Sequence, residues 1–136
     1  MDVATTFSSI NWLSVIVAAV SAFLIGGIWY GPLFGQAWMR ASGFTEEALS
    51  KRNMPMVFGL SLLLALLAAF NLEMFIGAEA TVGCGTMAGF LAGFGWVAAF
   101  LGILYLFEMK SMAAFLINAG YCITALTAMG AILGAW

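Results

Sequence analysis

Histidine is absent from this sequence, cysteine and proline occur twice each, and charged side chains fill only 7% of 136 positions. Each shortage excludes something. Two cysteines and no histidine cannot make a zinc finger, and most histidine-dependent catalysis falls with them. Four basic residues are too few for a nucleic-acid-binding surface, so no nucleic-acid partner is expected. Soluble domains carry about 25% charged residues. Ten charges cannot solvate a 14.4 kDa globule. Walker, dinucleotide-binding and nucleophile-elbow motifs are also missing. What is present is apolar: 65% of the residues are hydrophobic and the mean hydropathy is +1.11. The composition therefore defines an integral membrane protein whose first partner is the lipid bilayer.

A spanning helix needs about 20 apolar residues to cross roughly 30 Å of hydrocarbon. Four runs qualify, at 10–30, 54–76, 82–107 and 112–136, and together they form one transmembrane domain. Asp2 is the only charge ahead of the first run, so the positive leader of a secretory signal is missing and the run is expected to stay as a helix. Gly31-Pro32 is expected to end it, because proline lacks the N–H that continues a helix. The fold class that follows is an all-α, up-and-down bundle of four helices.

The cations set an orientation. Arg40, Lys51 and Arg52 lie in the loop 31–53, and Lys110 lies in the last loop. Both loops fall on one side, so the other side and both termini carry no Lys or Arg. Basic residues stay cytoplasmic. The reading is a bacterial inner-membrane protein with both termini outside, and with Asp2, Glu73 and Glu79 on the outer side. Trp12 and Trp136 are expected at the outer interface, and Trp29, Tyr30 and Trp38 at the inner one. The first loop has structure of its own. Residues 33–40 are amphipathic and suit the membrane surface. Ser42-Gly43 makes a turn, Thr45 caps a short helix to about Arg52, and Asn53 with Pro55 starts the second span.

Two features carry the functional expectations. Small residues form ridges: Gly26 with Ala18 and Ala22 on the first span, Gly85, Gly89 and Gly93 on the third, Gly130 and Gly134 on the fourth. Such ridges let helix backbones approach closely, within one chain or between chains. Polar residues form two clusters. Asn11, Asn71 and Glu73 share a depth near the outer end. Asn118 and Tyr121, with Tyr30, Tyr105 and Glu108 near them, lie toward the inner end. Asn118 is about 9 Å and Tyr121 about 13 Å along the helix from its start. These clusters can serve interhelical hydrogen bonds or a ligand. Cys84 and Cys122 differ in depth by about 10 Å or more, too far for a disulfide. Nine scattered Met suit packing better than a copper relay. No metal or cofactor is expected.

The stretches Asn11-Trp12-Leu13, Gly26-Gly27-Ile28-Trp29-Tyr30-Gly31-Pro32-Leu33-Phe34-Gly35-Gln36-Ala37-Trp38-Met39, Phe115-Leu116-Ile117-Asn118-Ala119-Gly120-Tyr121 and Met129-Gly130-Ala131-Ile132-Leu133-Gly134-Ala135-Trp136 are distinctive. Together they resemble the small bacterial membrane proteins grouped as domain of unknown function 1761. Cys122 departs from that pattern, which implies a larger ring such as His or Trp after the Gly-Tyr pair. The resemblance implies a four-helix membrane fold and brings no activity with it.

The first functional expectation is a structural or accessory protein, not an enzyme, that self-associates or docks on a larger membrane complex through its glycine faces. The alternative is a small-solute or lipid-binding transporter or channel, with a cleft lined by Asn118, Tyr121, Asn71 and Glu73. No carboxylate lies at mid-depth, as proton-coupled transport usually requires.

Overall fold

A computed structural model describes residues 3–77 and 79–136. Asp2, assigned above to the outer side, lies outside them. The described residues are helical with no strand: α1 (Val3–Ser8), α2 (Trp12–Ile28), α3 (Gly35–Ser42), α4 (Glu46–Ser50), α5 (Met54–Ile76), α6 (Val82–Leu91), α7 (Ala99–Phe107) and α8 (Met112–Ala135). Two π-helical segments complete the chain path, Trp29–Leu33 after α2 and Ala92–Ala98 between α6 and α7. Trp12–Leu33, Met54–Ile76, Val82–Phe107 and Met112–Ala135 are long and apolar enough to cross a membrane. The molecule is therefore an all-α, multi-pass bundle.

Side-chain caps start the helices, at Thr45 and Asn53 as the sequence predicts and at Asn11, which the sequence reading places in a polar cluster and not at a cap. Asn11 Oδ1 accepts the Leu13 and Ser14 amides at 3.1 and 3.3 Å. Thr45 Oγ1 accepts Ala48 N–H at 3.1 Å, and Asn53 Oδ1 accepts Met56 N–H at 3.2 Å. Each satisfies an amide that has no partner inside its own helix. Gly43, at φ +75°, ends α3 in the left-handed conformation that glycine adopts without a Cβ clash.

Pro32 does not end the first span. It lies inside the π-helical segment, where Phe34 N–H reaches back five residues to Trp29 O at 2.8 Å. A wider turn passes over the missing proline donor instead of breaking there. Gly35 is required at the exit, since a Cβ there would sit 2.6 Å from Tyr30 O.

Helix α8 is the centre of the bundle. It packs on α2 and α6 most extensively, and α2 packs on α5. The core is built of small residues: Ala18, Ala19, Ala22, Ala69 and Ala125 are buried, with Val15, Leu72, Met129 and Leu133 filling the space toward the chain termini. In lipid the gain comes from close van der Waals packing, because the tails are as apolar as the side chains. The glycine ridges serve that packing inside this one chain. A Cβ on Gly93 would lie 2.8 Å from Ile123 Cα. One on Gly89 would lie 2.8 Å from the Leu126 carbonyl carbon, and one on Gly85 3.1 Å from Gly134 Cα. Gly130 and Gly134 meet Gly85 and Thr81 in return, and Gly26 lies under the Tyr121 ring. The ridges of α6 and α8 thus cover each other, from Gly85 and Gly89 to Gly130 and Gly134.

Two of the aromatics expected at the interfaces also make contacts within the bundle. Trp29 is half-buried and donates its Nε1–H to Ile117 O at 2.9 Å, so it ties α2 to α8 rather than only lying at an interface. Trp12 stacks on Phe70 with ring centroids 5.5 Å apart.

Candidate functional site

The bundle has two ends, one carrying α3, α4 and the cations, the other carrying the chain termini. Helix α5 packs on α2 and α7 on α8, with the buried α5 residues Ala69, Leu72 and Glu73 toward the termini; no comparable packing joins α5 to α7 among the described residues. At the cationic end α5, α2 and α8 enclose a cleft of about 1060 Å³, with Tyr105 of α7 on its far side. Ligand pockets commonly enclose about 300–1,000 Å³.

Its walls are apolar. Phe23, Met54, Val57, Phe58 and Ala65 form much of the lining, with Phe23 and Phe58 edge-to-face at 5.5 Å. Its floor is polar. Tyr30 donates to Asn118 Oδ1 at 2.6 Å, and Asn118 Nδ2 donates to Tyr105 Oη at 2.6 Å. Tyr121 donates to Ala22 O at 3.0 Å, and its ring packs edge-on to Tyr30 at 5.4 Å. Its mouth is basic: Arg40, Arg52 and Lys110 line it, and no Asp or Glu does. Lys110 is paired with Glu108 at 3.3 Å and lies 4.8 Å over the Tyr105 ring. No carboxylate pairs with Arg40 or Arg52 among the described residues. Behind the floor the buried Ala22, Ala69, Ala125 and Met129 close the bundle. The cleft is thus blind.

Local structure positions each part. The π-helical turn carries Tyr30, α8 carries Asn118 and Tyr121 one turn apart, and α7 carries Tyr105. Helix α3 lies across the mouth, held by Ser111 Oγ donating to Ala41 O at 2.9 Å. Trp38 on α3 packs edge-on to Tyr30 at 5.3 Å.

The inner polar cluster read from the sequence is therefore brought together, with Glu108 turned away to its salt bridge. The outer cluster is not. Asn71 is exposed on α5 and donates to its own helix at Leu67 O, 2.9 Å away. Helical rotation explains this: Leu72 and Glu73 are buried in the bundle, and Asn71 points about 100° or more away from them. Asn11 spends its side chain capping α2. Glu73 is buried at 5% exposure beside the Asn11 backbone, and its Oε2 has no hydrogen-bond partner. Asn11, Asn71 and Glu73 line no part of the cleft. Sequence reading missed Arg40 and Arg52 as members of the site, because a loop cation gives no sign of the helix gap it folds over. No group of three or more His, Cys, Asp or Glu able to hold a metal occurs among the described residues. Cys84 and Cys122 are free thiols.

The fold and the cleft together define a multi-pass α-helical membrane protein with a blind polar-floored cavity at one end. The chain belongs to the family described as Protein of unknown function (DUF1761), whose model matches residues 13–134. No curated protein and no solved structure matches it.

Proposed function

We propose that the chain is a non-enzymatic membrane protein that binds an amphipathic small molecule in the cleft between α5 and α7. One observation carries this reading: apolar walls, a Tyr30–Asn118–Tyr105 floor and a cationic mouth surround a single open volume of about 1060 Å³. A tail fits the walls, and a polar or acidic group fits the floor and mouth. The packed alanines behind the floor favour a binder over a channel, since conduction needs polar groups spaced through the membrane. The distribution of Lys and Arg supports a bacterial inner-membrane location with the mouth cytoplasmic and both termini outside. An accessory or self-associating role would have to use faces other than the glycine ridges, which are filled within the chain.

The test is mass spectrometry of molecules extracted from protein purified in mild detergent. Near-stoichiometric recovery of one amphiphile is expected, lost in Gly27→Trp and Ser61→Phe. Both residues line the cleft, and a Cβ on Gly27 meets nothing within 4 Å, so the ring has room to fill the cavity. Recovery of no amphiphile, or equal recovery from the plugged variants, would remove the proposal.

A further inference from the structure

Hydrogen-bond accounting at the floor states what the occupant must offer. Asn118 lies between two tyrosine hydroxyls, each at 2.6 Å. An amide has one acceptor oxygen and two N–H donors. Tyr30 spends its proton on the oxygen, and Tyr105 spends a lone pair on one N–H. Exchanging the amide oxygen and nitrogen would only exchange the roles of the two tyrosines. In either arrangement one hydroxyl proton and one amide N–H are left over, both on side chains that line the cleft. The floor therefore asks for an acceptor.

The mouth asks for an anion. Among the described residues Arg40 and Arg52 have no carboxylate partner, and no acidic side chain lines the cavity to receive an ammonium group. Asn118 lies about 9 Å deeper along α8 than Met112, at the mouth end of that helix. The order from the mouth inward is thus anion, then acceptor, beside apolar walls. A free fatty acid has its anion directly on the chain and offers no deeper acceptor. A glycerophospholipid has its phosphate first, its ester carbonyls below, and its acyl chains beyond. The gap between α5 and α7 lets such chains remain continuous with the bilayer.

Resting on the cleft-binding reading, we infer that the occupant is an acidic glycerophospholipid of the leaflet at the cationic end. It enters sideways between α5 and α7, with its phosphate at Arg40 and Arg52 and an ester carbonyl at the spare donors of the Asn118 floor. Nothing in this step is covalent; the lipid is held and positioned.

The experiment places the full chain in nanodiscs of equal dioleoylphosphatidylglycerol and dioleoylphosphatidylethanolamine. Native mass spectrometry then reads the lipid retained on the released protein. Retained phosphatidylglycerol is expected in about tenfold excess over phosphatidylethanolamine, which corresponds to about 1.4 kcal/mol. Arg40→Gln/Arg52→Gln, at exposed positions that leave the fold intact, should bring the ratio back toward that of the disc. Tyr105→Phe should lower retention of both lipids about threefold or more, the loss expected for one hydrogen bond. A ratio equal to the disc composition in the native chain, or a ratio unaffected by the double variant, overturns the inference. Retention of a fatty acid or a phosphate-free amphiphile also overturns it while leaving cleft binding standing. Protein without any retained molecule, or retention unchanged in Gly27→Trp, defeats both.

Discussion

Replacing Gly89 by alanine tests the packing logic of the bundle most directly. The added Cβ would lie 2.8 Å from the Leu126 carbonyl carbon and 3.1 Å from Thr127 Cα. Comfortable carbon–carbon contact begins at roughly 3.5–4.0 Å. The Leu126 carbonyl oxygen would be closer still; all three obstacles are backbone, so no side chain can swing away, and α6 must retreat from α8 by more than about 1 Å. The neighbouring contacts of Gly85 and Gly93 loosen with it. Overpacking of this kind costs about 1–3 kcal/mol, against a gain of about 0.5–1 kcal/mol for alanine over glycine in a helix. A net loss of about 1–2 kcal/mol is expected, a shift of about five- to thirtyfold in the folded-to-unfolded ratio. Gly59→Ala is the control, because nothing lies within 4 Å of its Cβ on α5. It should be neutral or stabilising by up to about 1 kcal/mol. Reversible unfolding by dodecyl sulfate in mixed micelles, followed by tryptophan fluorescence, measures both. Equal shifts for the two variants would refute the argument that backbone contact holds α6 to α8.

Trp29→Phe deletes the indole donor to Ile117 O and is expected to destabilise by about 1 kcal/mol in the same titration; an unchanged midpoint would mean that this bond contributes nothing. Glu73→Met removes a buried carboxyl whose Oε2 is unpartnered but which also meets the Asn11 amide, and should be neutral within about 1 kcal/mol. A clear loss of stability would show that the carboxyl's contact with the Asn11 amide outweighs the cost of burying it. A membrane-impermeant maleimide should label the exposed Cys84 in intact spheroplasts and spare the part-buried Cys122. Labelling of Cys84 only after lysis would invert the proposed orientation.

The all-α bundle was legible because hydrophobic length and capping chemistry are local properties. Thr45 and Asn53 announce helix starts by residue type alone, whereas Asn11, read as part of a polar cluster, turned out to cap α2. The glycine positions likewise identified close helix contact. They could not say whether the partner helix belongs to the same chain, because backbone proximity has the same small-residue signature in both cases. Pro32 misled for a physical reason: a missing donor stops an α-helix, yet a wider turn absorbs it, and that choice depends on what Tyr30 and Trp29 meet on α8. The outer polar cluster failed on rotation. Depth along a helix is read from residue number, but Asn71 and Glu73 differ in direction, and only tertiary packing decides which of them turns inward. The inner cluster succeeded because Asn118 and Tyr121 are three apart and share a face. The cleft above it is a consequence of α5 and α7 diverging, which no single segment encodes.

The central place of α8 also has a consequence for biogenesis. It is the last of the four long helices to emerge from the ribosome, and both α2 and α6 find their main surface on it. Until then α2 and α5 can pair, but the Gly85, Gly89 and Gly93 face of the third span lacks the α8 backbone it packs against. The Tyr30–Asn118–Tyr105 floor can form only once α8 delivers Asn118 to the two tyrosines. A nascent chain stalled before that point would hold three membrane segments and no site.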